Sequence, residues 1–231
     1  MIMTETCFRS NPSGSPTAAL SVEEDSICTV RPVAMSGVTF EVETTVPTEH
    51  GIFQFRAYRD LVSGSEHLAV VSGTPSDGCF VRVQSECLTG EVFESQKCEC
   101  GPQLDSALDT INQYGGVVIY MRGHEGRGIG LVNKLKAYRL QESGLDTLDA
   151  NLALGLPADG RDYSAAASIL HDLRLHTVRL LTNNPDKVGQ LTDHGITVLE
   201  RVPLTAGAHS ANSAYLRTKR DRMGHHLQHT S

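Results

Sequence analysis

The chain has 231 residues, a hydrophobic fraction of 39%, no tryptophan and a formal net charge of −7. This length is enough for one large domain or two small ones, and the composition is that of a globular protein with a core. The negative balance argues against a binder of nucleic acid or of anionic membranes, although a local positive cluster would still admit a small anionic substrate. We see neither a secretory signal nor a stretch long enough to span a membrane, and therefore expect a cytoplasmic protein with reduced thiols.

The first part of the chain predicts a tail followed by strands. Residues 1–36 are rich in Ser, Thr, Pro and Glu without a hydrophobic period, so we expect a disordered or loosely attached tail. Packing of part of this tail on a partner subunit is the alternative. Beyond it, apolar and polar residues alternate between Gly, Ser and Asp turns, which predicts a meander of four strands. These strands begin near Val38, Ile52, Leu68 and Phe80.

From about residue 100 the pattern predicts helices that alternate with strands. Apolar residues at 104, 107, 108 and 111 share one helical face, and a continuous apolar strand covers 117–121. Further helices are predicted over about 131–143, 164–173 and 184–194, and further strands over 178–181 and 196–201. The predicted fold class is α+β, with a mixed sheet, a strand-rich N-terminal half and an alternating α/β C-terminal half. We expect one domain over 37–206 and a polar C-terminal tail over 207–231.

Three cysteines, Cys87, Cys98 and Cys100, are the strongest chemical signal. Cys98 and Cys100 can direct both sulfurs toward one centre, and the segment between them and Cys87 is long enough to bring Cys87 back to it. Three thiolates leave one corner of a tetrahedral zinc ion open, which is typical of a catalytic site. Two alternatives stay open: three small buried hydrophobic side chains, or a closed structural site that a fourth ligand such as histidine completes.

Two segments have the character of ligand-binding turns. The glycines around Glu125 and Arg127 would allow a backbone to approach a phosphate or a base closely, and a flexible turn is the alternative. Thr182 precedes a predicted helix start and Lys187 lies in its first turn, where free N–H groups and positive potential favour an anion. A capped helix with a solvated lysine is the alternative for this second segment.

Asp159 and Arg161 lie in a loop just before a predicted helix. They form either an ordinary salt-bridged turn or a guanidinium group with a carboxylate that holds or accepts its proton. Their spacing does not choose between these two interpretations.

Several ordered motifs closely resemble GTP cyclohydrolase II, the first committed enzyme of riboflavin synthesis, over about 38–227. The motifs are RVQSECLTG at 82–90, CECGPQ at 98–103, EGRGIGL at 125–131, NLALG at 151–155, DGRDY at 159–163, LTNNPDK at 181–187, YLRTK at 215–219 and MGH at 223–225. The resemblance implies the fold of that family, a homodimer, GTP as substrate, one Zn²⁺ per subunit and Mg²⁺ with the triphosphate. From the length of the chain we expect the fused dihydroxybutanone-phosphate synthase half of some relatives to be absent.

The resemblance also implies roles for individual residues. It places zinc on Cys87, Cys98 and Cys100, a proton acceptor at Asp159 and a nucleophile at Arg161. It places an active-site tyrosine at Tyr138. The positions that contact GTP in the family correspond to Arg82, Val83, Gln84, Ser85, Glu86, Gln103, Glu125, Gly126, Arg127, Thr147, Thr182 and Lys187.

The implied reaction has two parts. Arg161 would attack the α-phosphorus of GTP and expel pyrophosphate, or would act only by stabilising charge, because a guanidinium group is normally always protonated. Water activated by zinc would open the imidazole ring at C8. Loss of formate would then leave 2,5-diamino-6-ribosylamino-4(3H)-pyrimidinone 5′-phosphate.

Two departures from the family pattern lie near the implied site. Gln84 stands where many members have histidine, and Met121 lies in a segment that is one residue longer than the common form. They suggest an alternative in which the reaction stops at the ring-opened formamidopyrimidine and no formate is released. A non-catalytic, zinc-stabilised GTP-binding protein is a further alternative, against which the presence of Asp159, Arg161 and Tyr138 argues.

Overall fold

The computed structural model describes residues 37–204, 206–207 and 212–225, so the predicted N-terminal tail (1–36) lies outside the described residues. Seven strands form one mixed sheet in the order β1-β2-β3-β5-β4-β6-β7. Strands β1, β2, β3 and β5 pair antiparallel, whereas β5, β4, β6 and β7 pair parallel. The strands are β1 Val38–Thr48, β2 Gly51–Asp60, β3 Glu66–Ser72, β4 Phe80–Ser85, β5 Gly116–Met121, β6 Thr177–Leu181 and β7 Thr197–Val202.

Eight helices occur in the described part of the chain, most of them between the parallel strands. They are α1 Leu88–Glu91, α2 Cys100–Tyr114, α3 Glu125–Gly128, α4 Leu131–Glu142, α5 Thr147–Ala153, α6 Ser164–Asp172, α7 Pro185–Asp193 and α8 Ser213–Met223. The predicted α+β class is confirmed, with a strand-rich first half and an alternating second half. Each strand and long helix predicted between residues 38 and 201 is present, but the predicted four-stranded meander is wrong for β4, which pairs parallel with β5 and β6 instead of with β3.

Four helices were not predicted. Three of them, α1, α3 and α5, are short, with four, four and seven residues. The fourth, α8, lies in the segment that we expected to be a polar tail. Among the helices of the described residues, none has the length and apolarity needed to cross a membrane.

The sheet separates two hydrophobic clusters, because successive side chains of a strand point to opposite faces. Val117 and Ile119 of β5 lie in the larger cluster with residues of α6 and α7, whereas Val118 lies in the smaller cluster with residues of α2. In β4 the same alternation directs Val81 and Val83 to the larger cluster. Arg82 therefore points to the α2 side of the sheet, where its guanidinium donates to Gln103 at 2.9 Å.

The connections from β4 and β5 leave a crevice at the carboxyl ends of the parallel strands. The chain runs from β4 through α2 to β5 on one side, and from β5 through α6 to β6 on the other side of β4. Ligands of open α/β sheets typically bind at such a switch in strand order. The segments that follow β4, β5 and β6 begin at Glu86, Arg122 and Thr182, and each carries predicted site residues.

Candidate active site

The three cysteine sulfurs meet just beyond the end of β4. Cys87 immediately precedes α1, Cys98 lies two residues before α2, and Cys100 is the first residue of α2. Their Sγ atoms all lie within 4.8 Å of one another, and those of Cys87 and Cys98 are 3.7 Å apart. Zn–S bonds of about 2.3 Å at tetrahedral angles separate two sulfurs by roughly 3.8 Å. The three thiols are free, and their spacing fits a zinc ion.

Gly90 in α1 packs directly against the cysteine sulfurs. A Cβ atom at this position would lie 2.6 Å from the Cys98 sulfur and 3.2 Å from the Cys87 sulfur. Real Cβ atoms essentially never approach a sulfur to 2.6 Å, so a side chain here would push the thiols apart. The missing side chain of Gly90 therefore lets α1 pack directly against the three sulfurs.

A buried lysine lies beside one of the three sulfurs and offsets its negative charge. Lys134 of α4 places Nζ 3.1 Å from the Cys87 sulfur and 2.5 Å from Glu125. The pKa of Cys87 is lowered, because the Cys100 and Cys98 thiols donate hydrogen bonds to its sulfur and because Lys134 is positive. The pKa of Cys100 is raised, because its proton is held by the Cys87 and Cys98 sulfurs. One negative sulfur is thus stabilised even without a metal.

The alternatives for the cysteines can be weighed on this geometry. The three thiols are not simple apolar packing, because Cys87 contacts the buried Lys134 and Cys100 is only half-buried. Within the described residues, no histidine, aspartate or glutamate joins the three sulfurs as a further metal ligand. The arrangement fits a metal ion with one open corner better than it fits a closed site.

A cleft of about 600 Å³ opens over the sulfurs. We call it the thiol cleft, and it is lined by Cys87, Cys98, Cys100, Lys134, Tyr138 and Thr147 together with backbone and side chains of the loop after β5. Burial raises the pKa of Tyr138 to about 12, although the charge of Lys134 opposes this shift. Tyr138 is therefore protonated at neutral pH and can donate a hydrogen bond into the cleft.

A second cleft of about 570 Å³ adjoins the first on the α2 side of the sheet. We call it the cationic cleft, and its lining includes Arg82, Gln103, Thr182, Lys187, Lys219 and His225. Its lining residues include five lysines and arginines and one carboxylate, that of Glu99. Burial and the charges of Arg82 and Arg161 lower the pKa of Lys187. This concentration of positive charge favours a polyanionic ligand.

The two clefts share four lining residues, namely Ser85, Cys100, Arg127 and Arg161. Arg161 is held there by Asp159, which accepts hydrogen bonds from its Nε at 2.9 Å and from its Nη2. Burial would raise the pKa of Asp159, but the hydrogen bonds from Arg161 lower it overall. The salt-bridged turn is thus present, and it presents the guanidinium to both clefts.

Most of the predicted GTP-contacting residues line one of the clefts. Two do not, since Val83 and Glu125 are absent from both linings, and the predicted proton acceptor Asp159 is absent from them as well. The Val83 side chain lies in the larger core cluster, and its carbonyl accepts a hydrogen bond from Lys187 at 2.6 Å. Glu125 instead binds Lys134 and accepts from the backbone N–H of Leu88 at 2.6 Å. The residues that do line a cleft are Arg82, Gln84, Ser85, Glu86, Gln103, Gly126, Arg127, Thr147, Thr182 and Lys187.

The glycine-rich segment is a tight turn that packs backbone against backbone. Arg127 has a φ of +66°, and its carbonyl accepts a hydrogen bond from Gly160 at 3.0 Å. Gly128 has a φ of +85°, and a Cβ there would lie 3.1 Å from the Gly160 carbonyl. The hydrogen bond between Arg127 and Gly160 joins the turn to the loop that carries Asp159 and Arg161. Arg127 itself is buried.

One alternative for the segment after β6 was a capped helix with a solvated lysine. The start of α7 is capped, but Lys187 is not solvated. Asn184 accepts from the backbone N–H of Asp186 at 3.1 Å, and Thr182 Oγ1 accepts from that of Asn184 at 3.1 Å. Lys187 is 4% exposed. Its Nζ donates a hydrogen bond to the Val83 carbonyl in β4 at 2.6 Å, so the amino group lies inside the cationic cleft.

The two departures from the family pattern differ in position. Gln84 lines the cationic cleft, where it accepts from Arg82 Nε at 2.9 Å and donates to Glu91 at 2.6 Å. Met121 is 1% exposed in the larger core cluster and lines neither cleft. Gln84 therefore lies in the site, and the lengthened segment reaches the thiol cleft through His124 rather than through the Met121 side chain.

Sequence reasoning did not single out several residues that support the site. Lys134 contacts a thiol, and it shares a helical face with Ala137 and Tyr138, a spacing that could have revealed it. Glu91 accepts from Gln84 and from the backbone N–H of Cys87, and Glu99 binds Lys219. For these carboxylates the sequence offers no signal beyond their nearness to the cysteines.

Comparison with known proteins matches the sequence to a known family. The sequence model of a family described as GTP cyclohydrolase II matches residues 39–203. The riboflavin biosynthesis protein RibBA of Nocardia farcinica is 58% identical over 80% of this chain and 45% of its own length. RibBA of Salinispora arenicola is 55% identical over 83% and 46%, and that of Mycobacteroides abscessus 56% over 80% and 46%. The chain thus spans about half the length of these curated relatives.

Among solved structures, a likeness is found to the crystal structure of RibBX, a two domain 3,4-dihydroxy-2-butanone 4-phosphate synthase from A. baumannii. Its TM-score is 0.38 at 20% identity, over 63% of this chain and 34% of that chain. This likeness is too distant to bear on fold or function.

Proposed function

Because the chain belongs to the GTP cyclohydrolase II family, we propose that it hydrolyses GTP to 2,5-diamino-6-ribosylamino-4(3H)-pyrimidinone 5′-phosphate, formate and pyrophosphate. One observation carries the proposal: a cleft with three convergent thiols adjoins a cleft with five cationic side chains, and both share Arg161 and Cys100. A nucleotide across this junction would place its base by the thiols and its phosphates among the cations. The arrangement supports chemistry at two ends of one substrate.

Cys87, Cys98 and Cys100 would hold one Zn²⁺, whose chemistry when bound is that of a Lewis acid that lowers the pKa of a coordinated water. Lys134 offsets the negative charge of Cys87, and Glu125 fixes Lys134 in turn. Tyr138 remains protonated and can donate to an oxygen of the base or of the leaving formyl group. Mg²⁺ would enter with the triphosphate, since the only carboxylate among the lining residues of the cationic cleft, Glu99, binds Lys219.

For Arg161 we propose an electrostatic role at the α-phosphorus, where water forms the new P–O bond as the bond to pyrophosphate breaks. A nucleophilic guanidinium would first have to lose a proton, and its partner Asp159 has a lowered pKa, which makes it a weak base. The same pair is well suited to hold a positive guanidinium in place while negative charge develops on the phosphoryl oxygens. Asp159 then acts by orienting Arg161 rather than by accepting its proton.

We further propose a cytoplasmic homodimer. The four cysteines of the described residues are free thiols, the state that a reducing compartment maintains.

The edge strand β1 and its neighbour β2 expose apolar side chains, with Phe40 at 42%, Val42 at 56% and Ile52 at 70% exposure. An exposed apolar edge suits association with a second copy. Sedimentation velocity would test this, and a mass near 25.0 kDa would contradict it.

Product analysis tests the catalytic proposal. The purified protein, supplied with zinc and magnesium, is incubated with GTP, and the products are identified by mass with formate and pyrophosphate quantified separately. We expect formate and pyrophosphate in equal amounts from GTP. ATP is the control substrate, from which we expect neither product. Pyrophosphate without formate would support the arrested reaction that ends at the formamidopyrimidine, which Gln84 in the cationic cleft keeps as the second candidate. GTP binding without turnover would show a non-catalytic protein.

A further inference from the structure

Helix α8 lies beyond residues 39–203, which the family sequence model matches, yet it packs on the active site. Arg222 near its end donates to Asp146, which caps α5, and to Asp149 in the first turn of α5. Leu216 and Thr218 are each 9% exposed. Gly224, with a φ of +64°, ends the helix beside Pro185 at the start of α7. The segment expected to be a polar tail is therefore attached at both clefts.

Lys219 points from α8 into the cationic cleft. Its Nζ lies 2.8 Å from Glu99 Oε1, with the lysine side chain 11% exposed and the glutamate side chain 4% exposed. Glu99 is the residue between Cys98 and Cys100, so this ion pair joins α8 to the cysteine segment. His225 also lines the cleft, and its backbone N–H donates to the Lys219 carbonyl at 3.0 Å.

The surroundings of Lys219 are strongly positive. Burial and the charges of Lys219, Arg161 and Arg127 lower the pKa of His225 to about 3. Glu99 is one carboxylate against the five cations that line the cleft. A buried cluster of like charges opposes folding, so its presence beside an open cleft indicates preparation for an anion rather than a gain in stability.

We propose that Lys219 is a phosphate-binding residue of the nucleotide site and that Glu99 is its positioning residue, so that α8 forms one wall of the cationic cleft. An ammonium group carries three N–H donors, so Lys219 can hold Glu99 and a phosphate oxygen together. The proposal rests on the proposed function, since it assumes a nucleotide whose phosphates occupy the cationic cleft. A helix that only braces the fold would hold Lys219 equally well but would not affect phosphate recognition.

The test compares binding of a phosphorylated and an unphosphorylated ligand to the zinc-loaded full chain by calorimetry. The ligands are the α,β-methylene analogue of GTP and guanosine. Lys219→Met is expected to raise the Kd of the analogue about 10- to 100-fold, as for loss of one charge-assisted hydrogen bond, and to leave that of guanosine unchanged. Lys219→Arg is expected to recover most of the affinity. Arg217→Met, an exposed change of the same charge on the same helix, is the matched control.

Positioning by Glu99 is tested in the same assay. Glu99→Gln is expected to weaken analogue binding by less than Lys219→Met, with the zinc content unchanged. Because Lys219→Met leaves a buried carboxylate without its ion-pair partner, that variant can lose stability. The double variant Glu99→Gln/Lys219→Met removes this cost and carries the binding test if the single variant does not fold.

Three outcomes would overturn the proposal or its premise. Equal analogue affinity in Lys219→Met and Arg217→Met would remove Lys219 from the nucleotide site. A parallel loss of guanosine affinity would show that α8 only braces the fold. Failure of the wild-type, zinc-loaded protein to bind the analogue would instead contradict the proposed function itself, because no variant is involved.

Discussion

The thiol cleft and the cationic cleft are assembled in different ways. The sulfurs of the thiol cleft come from one short stretch, Cys87 to Cys100, which folds back through α1 onto the start of α2. The cations of the other cleft come from β4, from the loops after β5 and before α6, from α7 and from α8. Only the sheet and its crossovers bring these segments together. The first cleft is a local motif, and the second is a product of topology.

Their electrostatics differ in the same sense. In the thiol cleft the negative sulfur of Cys87 has a matching cation, Lys134, which is itself bound to Glu125. In the cationic cleft the positive charges outnumber the carboxylates. A balanced site is suited to holding a metal ion permanently, and an unbalanced one is suited to a ligand that brings its own negative charge. Arg161, which lines both, is where the two halves of the chemistry would meet.

Removing one sulfur should separate the two clefts functionally. Cys98 lines only the thiol cleft, so Cys98→Ser is expected to lose bound zinc and to slow formate release by ~10³-fold or more, since a Lewis acid contributes several kcal/mol. Pyrophosphate release should persist at a measurable rate. Metal analysis and separate assays of formate and pyrophosphate provide the measurement.

Cys79→Ser is the matched control for the loss of one thiol. Cys79 packs against the larger core cluster and lines neither cleft. We expect its zinc content and both product rates to equal those of the wild type. An equal loss of formate and pyrophosphate in a folded, GTP-binding Cys98→Ser protein would show that the two clefts do not act separately.

Changing the shared residue should affect the phosphate chemistry first. Arg161→Met is expected to slow pyrophosphate release by ~10²- to 10³-fold, the usual cost of losing a group that stabilises developing charge. Arg161→Lys, which keeps the charge without the bidentate contact to Asp159, should retain about a tenth of the wild-type rate. Arg139→Met on the exposed side of α4 is the control. A guanylyl adduct on Arg161, seen by intact mass after acid quenching, would contradict the electrostatic role.

The same contrast explains how much could be predicted from sequence. Periodicity gave the strands and the long helices, and spacing alone indicated the metal site, because its three ligands are neighbours in the chain. The cationic cleft could be anticipated only through family resemblance, since Arg82, Arg161 and Lys187 are far apart until the sheet forms. Helix α5 was missed although Asp146 caps it, because seven residues show no clear hydrophobic period. Helix α8 was missed because its sequence is polar, and its contacts are ion pairs to distant segments.

Some contacts between buried residues of the site could not be predicted from the sequence either. Glu125 was expected to contact GTP, whereas the structure engages it with Lys134 and with the backbone of Leu88. Whether it also contacts a nucleotide stays a prediction. Gly90 belongs to a motif that the sequence shows, but its reason, contact with the sulfurs, appears only in three dimensions.

A methyl group at Gly90 should weaken the thiol cleft and spare the cationic cleft. Gly90→Ala is expected to lower zinc affinity ~10- to 100-fold, the range typical for disturbing the support of metal ligands, because its Cβ would lie 2.6 Å from the Cys98 sulfur. Competition with a chromogenic chelator measures the affinity. Gly189→Ala in α7, where no atom lies within 4 Å of the added Cβ, is the matched control. Equal zinc affinity in the two variants would show that the sulfurs tolerate the methyl group.

The last prediction concerns folding stability rather than chemistry, and it depends on how burial and the charges of the cationic cleft act on one histidine of the thiol cleft. His124 lines the thiol cleft, and burial together with the charges of Arg161 and Lys187 lowers its pKa to about 4. The unfolded chain, with an ordinary histidine pKa near 6.5, binds the proton more readily between these values. This histidine should therefore cost the fold up to about 3 kcal/mol as the pH falls from above 6.5 to about 4.

His124→Asn removes the titrating group and keeps a polar atom that can meet Ser85, whose Oγ lies 3.2 Å from His124 Nδ1. The free energy of unfolding of both proteins is measured by urea titration from pH 7.5 to 4.5 at one zinc concentration. The advantage of wild type over variant should shrink steadily as the pH is lowered, because only wild type has this proton to take up on unfolding. Parallel curves would mean that neither burial nor the charges of Arg161 and Lys187 lower the pKa of His124 in the folded protein.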